Sequence, residues 1–256
     1  MNKTITREGI LYNLKTSNII LSVYDCVNST NSLLKQMALD GKAEGEVIIA
    51  LSQTAGRGRY DRKFHSDKGG IYMSILLRPQ NMPNIAVLTA ATAIAVSDAI
   101  ENISGQNTQI KWVNDILIDD KKVCGILCEG GFVGNNGFII VGIGINAYPP
   151  QNGFNNEIKS IAGTVFNDNY PDLCEKLTAA VIDNLFYQYK NLEKRDFLNF
   201  YRQKNLVLEK QVNILKQGEI IDSGTALEID DNCHLKVRLS NGEIATLSSG
   251  EVSIKL

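Results

Sequence analysis

Between Gln109 and Ala147 the chain reads as strand after strand, and this run limits the fold more than any other feature. "QIKWVNDILI", "KKVCGILCEG" and "FIIVGIGINA" are apolar and partly β-branched, and only "DDKK" and "GFVGNNG", both good turns, separate them. Strands joined this tightly pair as hairpins within one sheet. Two more buried strands precede them, "EVIIALSQ" and "GIYMSILLRP", the second closed by Pro79. Asn84 to Ile103 predicts a long helix, alanine-rich and apolar nearly all round, suited to close packing on that sheet. "NSTNSLLKQMALDG" predicts another, with Ser29 or Thr30 as cap, Leu33, Leu34, Met37 and Ala38 as stripe, and Gly41 as stop. Helices also follow at Pro171–Tyr189, with proline in the first turn, and at Asp196–Lys204. From Val207 onward the texture changes. "HLKVRL" alternates apolar and polar residues, "SNG" makes a turn, and the short strands around them suggest a small barrel. The expected organisation is a main domain over 1–206 and a barrel over 207–256.

The charge pattern narrows the function. "SQTAGRGRYDRKFHSDKGG" packs Arg57, Arg59, Arg62, Lys63 and Lys68 into one loop, offset by Asp61 and Asp67, while the chain as a whole carries a formal net charge of -2. A surface that tracks nucleic acid is usually strongly basic throughout, so DNA is not expected as a partner. Localised charge suits a small anion. The apolar run Val87–Val96 falls short of the roughly 20 residues a membrane span needs, so no membrane association is expected. Five cysteines at irregular spacing, with no CxxC pair and only two histidines, argue against a zinc site. They suggest reduced thiols and a cytoplasmic protein.

Three constellations carry chemistry. In the basic loop, Gly56 and Gly58 alternate with Arg57 and Arg59, so the backbone can fold tightly while guanidiniums reach one ligand. Arginine's planar fork suits carboxylate and phosphate oxygens. A solvated loop is the competing reading, which the apolar strands on both sides weaken. In "KWVNDILIDDKK", Asn114 and Asp115 fall inside a strand-like run, where a carboxylate needs a cation, an N–H donor or a metal. Lys122, across the turn, can reach the same sheet end, although a hairpin lysine in water is the alternative. In "VGIGINA", strand alternation sets Gly142, Gly144 and Asn146 on one face. Paired glycines in a strand suit the close approach of something flat, or else a sharp bend. Together they describe a pocket for an anion attached to a flat ring.

At this point the sequence closely resembles the biotin–protein ligases. The match runs in order through "STN" at 29–31, "QTAGRGR" at 53–59, "KWVND" at 111–115, "KKVCGIL" at 121–127, "GIGIN" at 142–146 and "SGEVSIK" at 249–255. The resemblance implies an α+β fold, a mixed sheet flanked by helices, with a small C-terminal SH3-like barrel. It implies biotin as substrate, ATP and Mg²⁺ as cofactors, biotinyl-5'-AMP as intermediate and the biotin carboxyl carrier protein as partner; a homodimer is compatible with it. Carried over by motif, Ser29, Thr30, Asn31 and Gln53 should bind the biotin rings. Arg57, Gly58 and Arg59 should fold over the ligand. Lys122 should hold the reacting carboxylate and phosphate oxygens, with Arg57 and Asp115 as further catalytic residues. Lys111, Asn114, Asp115 and Asn146 should face the adenylate, and Asp115 is the candidate for touching Mg²⁺.

Two residues depart from the family pattern: Phe64 stands where the family has tryptophan, and Val113 where it has proline. Phe64 keeps a stacking face without the indole N–H. Some relatives carry an N-terminal winged helix-turn-helix, and "STN" beginning at residue 29 suggests the short form. The alternatives are a lipoate or octanoate ligase of the same superfamily, and a biotin-sensing regulator without catalysis.

Overall fold

The computed structural model describes residues 5–216, 219–249 and 251–254. Its centre is a seven-stranded sheet, formed by β1 (Ile20–Tyr24), β2 (Glu46–Ala50), β3 (Gly70–Leu77), β4 (Gln109–Lys111), β5 (Asp115–Ile118), β6 (Lys121–Val133) and β7 (Asn136–Asn146). The strand order is β1-β2-β3-β7-β6-β5-β4. β1 runs parallel to β2 and every other pair is antiparallel, so the sheet is mixed as expected.

Alternation sends the two faces of this sheet to different layers. Val47, Ile49, Met73, Ile75, Val141, Ile143 and Ile145 enter the main core beneath α3 (Ile85–Ser104) and α4 (Pro171–Lys190). Ile48, Leu76, Phe138 and Ile140 face the other way, against Leu34 and Ala38 of α2 (Thr30–Leu39). α3 has the length and composition to cross a membrane, although its uninterrupted apolar run is shorter, and it is a buried core helix here. α2 is only ten residues long, so it covers one end of its face and leaves the rest of the sheet bare.

The structure differs from the sequence reading, or adds to it, in three places. "QIKWVNDILI" is not one strand: β4 ends at Lys111, a turn with a cis Trp112–Val113 peptide follows, and β5 begins at Asp115. The polar pair Asn114–Asp115 marks that turn. The N-terminal stretch is also structured. α1 (Arg7–Asn13), capped by Thr6, packs on α4, and Ile20–Tyr24 forms the edge strand β1. Both turns are tighter than read. Asp119 and Asp120 have left-handed φ (48° and 59°), the two-residue hairpin pattern, and in "GFVGNNG" only Gly134 and Asn135 lie between β6 and β7.

After α5 (Phe197–Lys204) the chain builds a five-stranded antiparallel sheet of the SH3-like kind. Its strands are β8 (Gln211–Lys216), β9 (Glu219–Ile229), β10 (Leu235–Leu239), β11 (Ile244–Leu247) and β12 (Glu251–Ile254), in the order β11-β10-β9-β8-β12. Val212, Ala226, Leu235, Val237 and Val252 join the same hydrophobic core as the main sheet.

Candidate functional site

The bare part of the α2 face is a cleft. Ser74 of β3, Gly142 and Gly144 of β7, and Gly125 and Leu127 of β6 share this face through the strand register. The cleft encloses about 990 Å³ including its open mouth, and Ser29, Gln53, Arg57, Lys111, Asp115 and Lys122 are among its lining. Thr30, Asn31, Gly58, Arg59 and Asn114 line it too. The sequence therefore identified residues from five separate segments that the fold brings together. Asn146 does not join them. It lies at the end of β7, where its amide donates to the carbonyls of Lys122 and Gly163 (3.3 and 3.1 Å) and so braces the neighbouring loop.

One end of the cleft is a fixed polar pocket. Ser29 caps α2, accepting from the Ser32 N–H. The Thr30 N–H and hydroxyl both donate to Gln53 Oε1 (2.8 and 3.2 Å), and Gln53 donates onward to Ser66 Oγ. Ser74 Oγ lies 2.8 Å from Thr30 Oγ1 and 2.6 Å from Asn31 Oδ1. Thr30, Asn31, Ser66 and Ser74 are buried and, with the half-buried Gln53, hydrogen-bonded in one network, so their directions are set before any ligand arrives. Gly142 is required here, because a Cβ would stand 2.1 Å from Asn31 Oδ1.

The other end carries the charge. Lys122 Nζ lies 2.8 Å from Asp115 Oδ1. That contact is an ion pair without hydrogen-bond alignment, since Asp115 Oδ1 is buried and accepts no hydrogen bond. Lys122 reaches the cleft because of a bulge. Ile116 pairs with Cys124 but Leu117 with Lys122, so Val123 is an extra residue in β6. Strict alternation would have placed Lys122 with Cys124, which is buried in the core. Nothing in the sequence signals this bulge. Lys121 turns away and donates to the Ser160 carbonyl.

The basic loop folds over this end as a compact turn, closed by Gly58 N–H to Arg62 O (2.7 Å) and Phe64 N–H to Gly56 O (2.9 Å). Its arginines do not converge freely on an empty space. Arg59 donates to Asn114 Oδ1 and lies over the Tyr60 ring, and Asn114 is in turn bonded to the backbone of Ile126. Arg57 pairs with Glu129, a residue the sequence reading passed over. The flat group on the glycine floor is the chain's own Phe64. A Cβ on Gly144 would stand 2.6 Å from its ring and one on Gly125 2.9 Å, while Lys122 Nζ lies 5.8 Å from the ring centroid.

Residues 23–146, which hold every element of this cleft except Val252, match the Biotin/lipoate A/B protein ligase family, and residues 207–255 match the Biotin protein ligase C terminal domain. The chain is 39% identical over 163 residues to the bifunctional ligase/repressor BirA of Bacillus subtilis, a match covering 62% of this chain and 50% of that protein. It thus spans about half the length of that relative. It is 28% identical over 244 residues to the biotin–[acetyl-CoA-carboxylase] ligase of Mycobacterium tuberculosis, covering 91% and 88% of the two. Among solved structures, the biotin protein ligase from Aquifex aeolicus in complex with biotin and ATP superposes with a TM-score of 0.75 at 31% identity, over 92% of this chain and 98% of that one. On the two family matches and this superposition over nearly its whole length, this chain belongs to the biotin protein ligase family.

Proposed function

We propose that the protein activates biotin with MgATP and transfers it to a lysine of a biotin carboxyl carrier protein. In the first step an oxygen of the biotin carboxylate attacks the α-phosphorus, the bond to pyrophosphate breaks, and biotinyl-5'-AMP forms. In the second the carrier lysine's amine attacks the acyl carbon, loses a proton, and AMP leaves. The observation that carries this reading is the Lys122–Asp115 pair between the polar pocket and the arginine loop. A ring held at Ser29, Thr30, Asn31 and Gln53 sends its carboxylate towards an ammonium that needs no large movement to meet it.

The chemistry asks for no protein nucleophile. Bringing a carboxylate against a polyphosphate is opposed by charge, and fixed cations lower that barrier without reorganising. Lys122 neutralises oxygens on both reacting groups, Arg57 and Gly58 cover the acyl-phosphate, and Arg59 with Asn114 fixes the adenylate end beside Lys111. Asn146 acts on the adenylate through the loop that it braces. Excluding water matters because the intermediate is a hydrolysable mixed anhydride. Magnesium arrives with ATP as part of the substrate. Among the described residues no cluster of three acidic, histidine or cysteine side chains forms a resident metal site. Mg²⁺ commonly takes one or two carboxylates plus phosphate oxygens and water, so Asp115 alone is a sufficient protein contribution.

Purified protein incubated with biotin and MgATP, followed by mass spectrometry, tests the reading. Biotinyl-AMP is the expected product, with lipoate and octanoate giving little adenylate. Adenylation of lipoate or octanoate in preference to biotin would overturn it.

A further inference from the structure

Glu129 is an acidic side chain on the cleft face of the sheet that the reaction above does not use. Alternation along β6 puts Gly125, Leu127 and Glu129 on that face, paired with Gly144, Gly142 and Ile140. The carboxylate receives Arg57 at two points, from Nη2 to Oε1 (3.1 Å) and from Nη1 to Oε2 (3.3 Å). Its Oε2 also accepts from Asn31 Nδ2 at 2.9 Å. Asn31 is itself fixed from behind, because its Oδ1 lies 2.6 Å from Ser74 Oγ and sits over Gly142. Glu129 therefore stands on a buried, hydrogen-bonded base and holds a partly exposed, charged side chain at its other end. Its side chain is 20% exposed and that of Arg57 38%.

We propose that Glu129 is a positioning residue that anchors Arg57 over the cleft and ties it to the ring pocket through Asn31. Two contacts fix the plane of a guanidinium, where one would fix only its place. The end of the guanidinium is taken by Glu129, which leaves Nε–H and the outer N–H groups for a ligand anion. Without the anchor, Arg57 belongs to a loop that also carries Arg59, Arg62 and Lys63, and like charges favour its swinging outward. The inference rests on the proposed adenylation. Glu129 is not a stand-in that the ligand must displace: a displaced competitor would weaken retention, whereas an anchor strengthens it.

Glu129→Ala and Glu129→Gln, each alone and combined with Arg57→Gly, test the anchor in the full chain. Release of biotinyl-AMP is followed by biotinylation of bystander lysines on albumin. Glu129→Ala is expected to raise release by about 10-fold, the effect of one lost charge-assisted contact, and to add nothing in the Arg57→Gly background. Glu129→Gln, which keeps the length but not the charge, should fall between. Slower release, or an equal increase in both backgrounds, would overturn the proposal, since the first indicates competition and the second an effect that bypasses Arg57. Trypsin supplies a readout that needs no catalysis. Cleavage after Arg57 in the ligand-free protein should speed up about 10-fold in Glu129→Ala while cleavage after Lys194 stays unchanged. Unchanged cleavage after Arg57 would remove the anchor even if the wild-type protein makes biotinyl-AMP. A wild-type protein that makes none, with the tryptic change present, would instead fault the adenylation reading.

Discussion

Lys121 and Lys122 follow one another at the start of β6, yet only the second enters the cleft, because the bulge at Val123 turns it there. Their substitutions should separate accordingly. Lys122→Ala removes a preorganised cation whose target charge develops in the transition state, so adenylation should fall by about 10²–10³. Biotin affinity by calorimetry should change by less than about threefold, since the proposed ring contacts lie on α2 and Gln53. Lys121→Ala loses a bond to the Ser160 carbonyl that steadies the loop beside Asn146, and turnover should stay within about twofold of wild type. A damaging Lys121→Ala beside a normal Lys122→Ala would mean that the bulge points the wrong residue inward. Pyrophosphate release measures both.

At the scale of elements, what could be read ahead were the pieces whose signal is local and long. α2 with its Ser29 cap, α3, α4, α5 and strands β2 and β3 lie where cap, stripe and turn residues place them, and β6 and β7 extend past the expected turn to Val133 and back to Asn136. α1 and β1 were missed because neither stands alone. A helix of seven residues is too short to be stable by propensity, and it exists because Thr6 bonds Glu175 on α4. β1 exists because β2 offers an edge. In the site, motif residues were legible, whereas the bulge, the Glu129 partner and Phe64 on the glycine floor arise from pairing between distant strands. A long-range pair also sets a pH dependence. Glu101 on α3 accepts from the Thr108 N–H, the Thr108 hydroxyl and Lys204 on α5. Burial pushes its pKa up, but the Lys204 and Thr108 bonds outweigh that and hold it below the ordinary 4.5. A depressed carboxyl pKa contributes stability above its unfolded value, lost as pH falls through the folded one. Burial raises the neighbouring Asp98, which works in the opposite sense on acidification. Glu101→Gln should therefore cost about 1–2 kcal/mol at pH 7 in urea denaturation, and the gap should close below about pH 4. A gap that persisted there would show that the charge is not its source.

Across the whole molecule the C-terminal sheet and the cleft are joined at one turn. Trp112, buried, donates from its indole N–H to the Cys233 carbonyl at 2.9 Å, and Tyr201 donates to the Val113 carbonyl at 3.0 Å. Both bonds seize the turn that carries Asn114 and Asp115, and Val252 of β12 completes the lining. The sheet beyond Val207 is thus a support for the turn at the charged end of the cleft, the end proposed to hold the adenylate, rather than an appendage. Trp112→Phe keeps the ring bulk but leaves the Cys233 carbonyl without its donor, which should cost about 1–3 kcal/mol of stability. Binding should split as the geometry does: ATP affinity weakened, biotin affinity nearly intact, because α2 and Gln53 are untouched. Trp112 is the chain's single tryptophan, so wild-type tryptophan fluorescence, excited to the red of the nine tyrosines, reads this junction. With one core running through both sheets, its emission and the far-ultraviolet circular dichroism should unfold in coincident transitions. An emission change at lower denaturant than the loss of helix would show the C-terminal sheet detaching first. Unchanged ATP binding in Trp112→Phe would then mean that the turn holds its shape without it.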